Sequence, residues 1–471
     1  MVERFVKDFS NAVNQGNAAV FAGAGLSRNS GYVNWKELLR DIAKDIKLDI
    51  DKESDLISVA QYYKNEMGGR GRLNEEIMQR FTLKAKENRV MDILASLPID
   101  TYWTTNYDHV IEDTLRQKQK KTVDVKISQE NLALSLPNRD AVVYKFHGDV
   151  SEPSKAVLTK DDYELFGKTH KLFSTSLQGD LITKTFVFVG YGLSDPNLLH
   201  ILSRIRILIG ENLRTHYCLV RKINKKDYDT SDIYNYEKGK QELILKDLKR
   251  YGIQCVLIDE YEEIPVLFER IRRHYITNNV FIAGSCRNYG NWDPKTANKL
   301  LYNIGYKLIE KGYKISTGLI EGVGPQLVNG ALNAINYYNL NLEKSLSIKT
   351  LPLIDGSDEH MNIEAKKMFQ NNMIAKVGIV VFLFGNQYYD NELLDSKGVW
   401  HDYERALELN KYIIPIYTTG FSSKSILEDM EVNIERHQYI TPFLSKLKNV
   451  KEPEELSDLI IRIISHIRGM N

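Results

Sequence analysis

Cysteine is scarce in this chain, with three among 471 residues. Cys218, Cys255 and Cys286 form no C-x-x-C pair, which argues against a structural zinc module. An odd number of widely spaced cysteines also argues against a disulfide framework and fits a reducing cytoplasm. We therefore expect three packed or surface thiols and no bound metal.

Excess charge and long hydrophobic runs are absent as well. The formal net charge is +1, and no block of like charges indicates an interaction tail. The most apolar segments, 185–193 and 377–385, are far shorter than the roughly 20 residues of a membrane helix and favour buried parallel strands. The chain opens into an amphipathic helix pattern without a signal peptide. We expect a cytoplasmic protein with no membrane and no nucleic-acid partner.

Strand and helix signals alternate along the whole sequence. A chain of 471 residues exceeds the size of about 250–300 residues at which single cores stop growing. Residues 1–277 and 278–471 each predict a doubly wound, Rossmann-like α/β domain with a parallel sheet. A helix pattern over 263–275 and a new strand from Val280 place the boundary, and no flexible linker separates the halves. Residues from about 50 to 97 predict helices only.

Three helix starts are marked by capping residues. Asn34, followed by Glu37, has the spacing of a capping box. Asp195 and Asp293 each precede a proline at the first helical position, where proline is favoured. We interpret these residues as structural.

A glycine-rich loop, residues 22–27, follows the apolar segment 18–21. Glycines allow positive φ and let backbone N–H groups approach an anion, and a helix N-terminus adds a favourable dipole. The loop predicts a pyrophosphate site, although an ordinary turn has the same sequence. The candidate residues are Ala22, Gly23, Ala24, Gly25 and Ser27.

Polar side chains follow two further strand patterns. Asn106 and Asp108 come after the strand 102–104, and His147 comes after the strand 141–145. Ligands of open α/β sheets gather at the carboxyl ends of strands. Asn106 is a candidate for holding ribose hydroxyls or a water, and Asp108 for ligand binding or helix capping. His147 is either structural or able to take a proton near neutral pH.

In this order, the three segments resemble the NAD-binding core of the sirtuin (SIR2) family, over residues 1 to about 275. The resemblance implies that NAD+ is bound and its nicotinamide–ribose bond is cleaved. It also implies that Asn106 orients the ribose or a water and that His147 is the general base. The strand–turn–helix segment 187–196 supports it, and there the resemblance implies that Gly190 and Ser194 contact the adenosine half of NAD+.

Three functions stay open within this resemblance. In an NAD+ hydrolase, water captures the ribose, whereas in a deacylase or ADP-ribosyltransferase another group does. Sirtuin deacylases carry a four-cysteine zinc module, and here the helical region 50–97 stands where they insert it. The third alternative is a nucleotide sensor without catalysis. The presence of Asn106 and His147 argues against it.

The second half contains two more strand ends with small residues. The strand 280–285 ends in Gly284 and Ser285, and the strand 314–316 leads into the glycine-rich loop 318–324 before a helix. Such loops bind phosphates or form tight turns. No His/Cys cluster or catalytic carboxylate pair stands out, so we expect a sensor. The pair of loops resembles the SLOG family, which implies nucleotide binding.

The order SIR2 then SLOG resembles the effectors of the bacterial Thoeris anti-phage defence system. The resemblance implies a homotetramer whose SLOG domain binds a cyclic ADP-ribose isomer made by a TIR-domain partner. Binding would then start NAD+ destruction by the SIR2 domain.

The same resemblance implies a set of signal-binding positions. Gln370 and Gln387 stand where cations are expected, and Asp402 stands where a glutamate is expected. Because the signal carries two phosphates, other cations must replace those missing at these positions. Lys397 or Arg287 is available for this. The complete set is Gly284, Ser285, Arg287, Gly318, Gly322, Gly324, Gln370, Gln387, Lys397 and Asp402.

Overall fold

The computed structural model describes residues 1–192, 195–349, 371 and 373–470. The chain divides into two compact units, Met1–Arg272 and Arg273–Asn471. The boundary predicted between residues 277 and 278 stays a prediction. Among the described residues, no helix has the length and apolar character needed to cross a membrane.

The first unit is built on a seven-stranded sheet in the order β3-β4-β2-β1-β5-β6-β7, and every ladder is parallel. β1 and β5 are buried along their whole length, which explains their continuous apolar sequences. The strands are β1 (Ala18–Ala22), β2 (Thr101–Thr104), β3 (Val123–Lys126), β4 (Ala141–Lys145), β5 (Thr185–Val189), β6 (His216–Arg221) and β7 (Ile253–Ile258).

The order in which the chain adds strands to the sheet reverses at β1. β2 lies on one side of β1 and β5 on the other, and ligands of such sheets bind where the strand order reverses, outside the carboxyl ends of the strands. The loops after β1 and β5 therefore frame the expected site.

Helices surround this sheet, and the described residues between β1 and β2 contain helices and turns but no strand. This confirms the helical region predicted over 50–97. The helices are Val2–Gln15, Ala24–Arg28, Trp35–Leu38, Arg40–Asp45, Leu56–Glu66, Gly71–Phe81, Arg89–Ser96, Val110–Gln119, Gln129–Leu132, Lys160–Thr169, Lys171–Thr183, Pro196–Ile209, Ser231–Lys249 and Glu263–Ile276.

The predicted caps are present. Asn34 and Glu37 form a capping box with two hydrogen bonds of 2.9 Å. Asp195 accepts a hydrogen bond from the backbone N–H of Leu198, and Asp293 accepts one from that of Thr296. These bonds satisfy N–H groups that a helix start leaves without partners.

The second unit has a five-stranded parallel sheet in the order β10-β9-β8-β11-β14 and a separate antiparallel pair, β12 and β13. The apolar sequence of residues 351–354 also predicts a strand, which lies outside the described residues. The strands are β8 (Asn279–Ser285), β9 (Lys314–Thr317), β10 (Leu346–Ile348), β11 (Ile379–Phe384), β12 (Asn386–Tyr389), β13 (Glu392–Asp395) and β14 (Tyr412–Pro415). The helices are Pro294–Glu310, Gly324–Tyr337, Leu342–Ser345, Lys397–Glu408, Phe421–Val432, Leu444–Asn449 and Pro453–Gly469.

Candidate active site

A cavity of about 600 Å³ opens at the carboxyl ends of the strands beside β1. A concave pocket with converging polar groups is the usual form of a small-molecule site. It brings together residues that the sequence placed after four different strands. Those predicted residues are Ala24, Ser27, Asn106, Asp108, His147 and Gly190.

Asn106 is held from three sides at the end of β2. Its backbone N–H donates to Thr104 Oγ1 at 2.9 Å, and its Nδ2 donates to the Gly23 carbonyl oxygen and to Ser27 Oγ, both at 2.9 Å. Because the Gly23 carbonyl can only accept, the amide orientation is fixed. Both Nδ2 protons are engaged, so Oδ1 is the atom that can accept a hydrogen bond from a water or a ribose hydroxyl.

His147 is buried, with 2% of its surface exposed. Phe146 stacks on its ring, and Tyr163 meets it edge-on. Nε2 lies 3.2 Å from Asp195 Oδ2, at ion-pair distance. Sequence reasoning identified Asp195 as a helix cap and missed this second role, because only the fold brings the end of β4 to the helix after β5.

Asp108 combines the two roles that the sequence left open. Its Oδ1 accepts a hydrogen bond from the Val110 N–H at 3.0 Å, as a capping group does. Its Oδ2 is buried and has no hydrogen-bond partner among the described residues. An unpartnered carboxylate oxygen on a cavity wall is able to accept a hydrogen bond from a ligand hydroxyl.

The glycine loop is shaped by its packing against the loop after β5. Gly23 N donates to the Val189 carbonyl oxygen at 3.0 Å, and Gly25 N donates to that of Gly190 at 2.9 Å. A Cβ on Gly190, where φ is +62°, would stand 2.1 Å from Leu26 N. The two glycine N–H groups therefore bind protein rather than being free for a phosphate. The role of this loop in holding pyrophosphate stays a prediction.

The remaining predicted residues of this site are Ala22 and Ser194. The Ala22 carbonyl accepts from Thr104 Oγ1 at 3.0 Å. Ser194 lies outside the described residues. Several cavity residues belong to no sequence motif that could have revealed them. One of these is Tyr191, and its buried hydroxyl has no hydrogen-bond partner among the described residues. The cavity residues missed by the sequence include Trp35, Lys36, Asp55, Phe81, Tyr163, Tyr191 and Asp195.

A buried ionic cluster lies beside Asp108 and His147. Lys145 Nζ is 3.2 Å from both Glu112 Oε1 and Asp149 Oδ2, and it donates to the Asp108 carbonyl oxygen. His109 Nε2 lies 2.9 Å from Asp149 Oδ1. Burial raises the pKa of Glu112, although the charge of Lys145 opposes this. Burial opposes the charged form of Asp149 as well, but its hydrogen bond to His109 and the charge of Lys145 hold its pKa below the usual range.

The same cluster contains a set of potential metal ligands. One ligand atom each from His109, Glu112 and Asp149 lies within 4.8 Å of the others. However, the ammonium of Lys145 is already in contact with both carboxylates. A second cation would be repelled by this ammonium. We therefore interpret the cluster as an ion-pair network.

In the second unit, the predicted loops meet at the carboxyl edge of the sheet. Gly284 is opposite Leu383 of β11, and Ser285 Oγ donates to the Asn386 carbonyl oxygen at 3.1 Å. The Arg287 backbone N–H donates to Asn386 Oδ1 at 2.8 Å. Sequence reasoning missed Asn386, because its position depends on the pairing of β8 with β11.

The loop after β9 packs against the end of β8. A Cβ on Gly322, where φ is +81°, would stand 2.0 Å from the Cys286 carbonyl oxygen, so only glycine fits. Arg287 forms an ion pair with Glu321, and these side chains are 52% and 67% exposed. Such a pair contributes little stability and can exchange partners. Gly318 directly follows β9, and Gly324 begins the next helix.

The other predicted signal residues lie on neighbouring elements. Gln387 is half-buried in β12. Lys397 begins the helix Lys397–Glu408, and its Nζ lies 5.2 Å from the centroid of the Tyr389 ring. Asp402 is buried on the same helix. Gln370 lies outside the described residues.

Two family models match the chain. A model described as a SIR2-like domain matches residues 100–244. A model described as the Sir2- and TIR-associating SLOG family matches residues 263–467. The matches agree with the two α/β units and their order.

Several similar proteins carry the name NAD(+) hydrolase ThsA. The one from Cytobacillus dafuensis is 40% identical over 453 residues, which cover 94% of this chain and 91% of the relative. The one from Bacillus cereus (strain MSX-D12) is 38% identical over 475 residues, which cover 99% of this chain and 98% of the relative. The one from Enterococcus faecium is 40% identical over 478 residues, which cover 98% of this chain and 98% of the relative. The chain therefore belongs to the ThsA family and joins a SIR2-like domain to a SLOG domain.

Proposed function

We propose that the chain is an NAD+ hydrolase, with NAD+ as substrate and nicotinamide and ADP-ribose as products. The observation that carries the proposal is the presence of Asn106 and His147 on the wall of one cavity at the reversal point of the sheet. Near full-length similarity to relatives named NAD(+) hydrolase supports it.

The chemistry follows from the groups on the cavity wall. The bond between ribose C1′ and the pyridinium nitrogen breaks, and its electron pair neutralises the leaving nicotinamide. The sugar then has oxocarbenium character and is captured by a water. Asn106 Oδ1 orients this water or a ribose hydroxyl, and His147 takes the proton that the water loses. Asp108 Oδ2 accepts a hydrogen bond from a ribose hydroxyl.

The remainder of the cofactor contacts the loops after β1 and β5. Ala22 ends β1, Ala24 and Ser27 lie in the short helix Ala24–Arg28 that follows it, and Gly190 lies on the loop after β5. NAD+ carries its own cationic leaving group, so we propose cleavage without a metal.

The second domain is proposed to sense a cyclic ADP-ribose isomer made by a TIR-domain partner. The loops around Ser285 and Gly322 and the exchangeable cation of Arg287 lie at the carboxyl edge of its sheet, where ligands of such folds bind. In this proposal, signal binding activates a cytoplasmic homotetramer that depletes cellular NAD+ during anti-phage defence of the Thoeris type.

The test is nicotinamide release from NAD+ by the purified full chain and its variants. We expect Asn106→Ala and His147→Ala each to lower turnover about 10²- to 10⁴-fold, the usual contribution of a positioned acid–base group. His200→Ala is the matched control, because His200 is exposed in the same unit. Circular dichroism checks that each variant is folded. Turnover close to that of the wild type in folded His147→Ala would assign His147 a structural role.

A further inference from the structure

The orientation of the His147 ring depends on very few polar atoms. Phe146 stacks on the ring with centroids 5.5 Å apart, and Tyr163 and Phe166 stand nearly perpendicular to it with centroids 5.7 and 6.0 Å away. These rings restrict the space around the imidazole but cannot choose between its two tautomers. Asp195 Oδ2, at 3.2 Å from Nε2, is in a position to make that choice.

Asp195 is itself firmly held. Its Oδ1 accepts a hydrogen bond from the Leu198 N–H at 2.9 Å, and its Oδ2 accepts one from the Tyr163 hydroxyl at 3.1 Å. It stands at the N-terminus of the helix Pro196–Ile209, where the helix dipole favours an anion. Burial opposes the charged form, but interaction with the adjacent His147 ring and these hydrogen bonds keep the pKa of Asp195 below its ordinary value.

The two ring nitrogens of His147 therefore have different surroundings. Nε2 lies beside a carboxylate and Nδ1 does not, although both nitrogens are buried and neither makes an aligned hydrogen bond among the described residues. The Nε2–H direction is not aligned on Oδ2, which is common for catalytic pairs before substrate binds. An anion beside Nε2 favours the tautomer with its proton there, which leaves a lone pair on Nδ1.

We propose that Asp195 is the positioning residue of His147: it holds the proton on Nε2, so that Nδ1 accepts the proton of the attacking water. The water O–H bond breaks as its oxygen bonds to C1′, and the resulting imidazolium is stabilised by the carboxylate. A carboxylate has this role toward a catalytic histidine in serine proteases. The inference rests on the proposed role of His147 as base.

The variant Asp195→Asn separates this role from helix capping. Asparagine caps helices as well as aspartate does, so the hydrogen bond from Leu198 N–H is kept while the charge is lost. We expect kcat for NAD+ cleavage to fall about 10²- to 10⁴-fold, with KM within about threefold of the wild type. Asp293→Asn is the matched control, since Asp293 caps the helix Pro294–Glu310 in the same way.

A double variant provides the decisive readout. If Asp195 acts only through His147, adding Asp195→Asn to His147→Ala causes no further loss of kcat. A further loss in the double variant, or wild-type kcat in Asp195→Asn beside an inactive His147→Ala, would overturn the inference. An active His147→Ala would instead refute the proposed base and, with it, this inference.

Discussion

Lys145 is a cation without solvent contact, at the end of the strand that leads to His147. Burial opposes its charge, but Glu112 and Asp149 hold its pKa above the usual value. Removing one member of such a buried set leaves an uncompensated charge, so each member depends on the others. Through its bond to the Asp108 carbonyl oxygen, Lys145 also fixes the backbone of the cavity wall.

Metal removal is therefore expected to have no effect. Because the Lys145 ammonium is already paired with the carboxylates of Glu112 and Asp149, chelator treatment should leave both the unfolding temperature and NAD+ cleavage unchanged. Nicotinamide release and thermal unfolding before and after dialysis against EDTA measure this. Loss of activity that added zinc restores would contradict the ion-pair interpretation.

The pair His109–Asp149 predicts a pH-dependent contribution to stability. The hydrogen bond to Asp149 raises the pKa of His109, although burial opposes the shift. A raised pKa means that the stabilisation is complete below the unfolded-state pKa of about 6.5 and is lost as pH rises through the folded-state value.

We expect His109→Gln to lower the unfolding midpoint more at pH 5.5 than at pH 9. His109 is 43% exposed, so the difference should be under about 1 kcal/mol, or a few degrees. Thermal unfolding of the wild type and the variant at both pH values measures it, with His200→Gln as the exposed control. An equal effect at both pH values would mean that folding does not raise the pKa of His109.

At the scale of elements, the loops after β1 and β5 form one packed unit. Gly23 and Gly25 donate hydrogen bonds to backbone carbonyls at the end of β5, and Gly190 lies so close to Leu26 N that no side chain fits. Asn106, which follows β2, donates a hydrogen bond to the Gly23 carbonyl oxygen. The glycines therefore set the geometry of the cavity through close approach of two backbones.

This packing predicts that Gly190→Ala damages both stability and NAD+ binding. The added Cβ meets backbone atoms, which should cost about 1–3 kcal/mol beyond the strain of positive φ. Gly16→Ala isolates that strain, since Gly16 has φ +73° and a Cβ added there would meet nothing within 4 Å. Thermal unfolding and calorimetric NAD+ titration measure both effects. Similar losses in the two variants would show that the close approach is unimportant.

Sequence patterns predicted much of this architecture, because local signals mark its elements. Apolar runs marked β5 and β11, capping residues marked helix starts, and short motifs marked the strand ends that carry Asn106 and His147. Contacts between distant segments gave no such signal. Asp195 reaches His147, and Lys145 reaches Glu112, only through the order of strands in the sheet.

At the scale of the whole molecule, the proposed activation requires two sites that share one equilibrium. A signal bound to the second domain can favour the active state only by its difference in affinity between the two states. A typical coupling of about 1–3 kcal/mol corresponds to roughly 5- to 150-fold activation. By the same linkage, an NAD+ analogue that favours the active state should tighten signal binding.

The most direct measurement is nicotinamide release from NAD+ by the purified full chain, with and without cyclic ADP-ribose isomers. We predict roughly 5- to 150-fold activation by one isomer in the wild type. Activation should be lost in Gly322→Glu, whose side chain has no room in its loop, and weakened in Arg287→Gln, which replaces an exposed cation and should fold normally. Failure of every isomer to activate the wild type, or normal activation of both variants, would contradict the account.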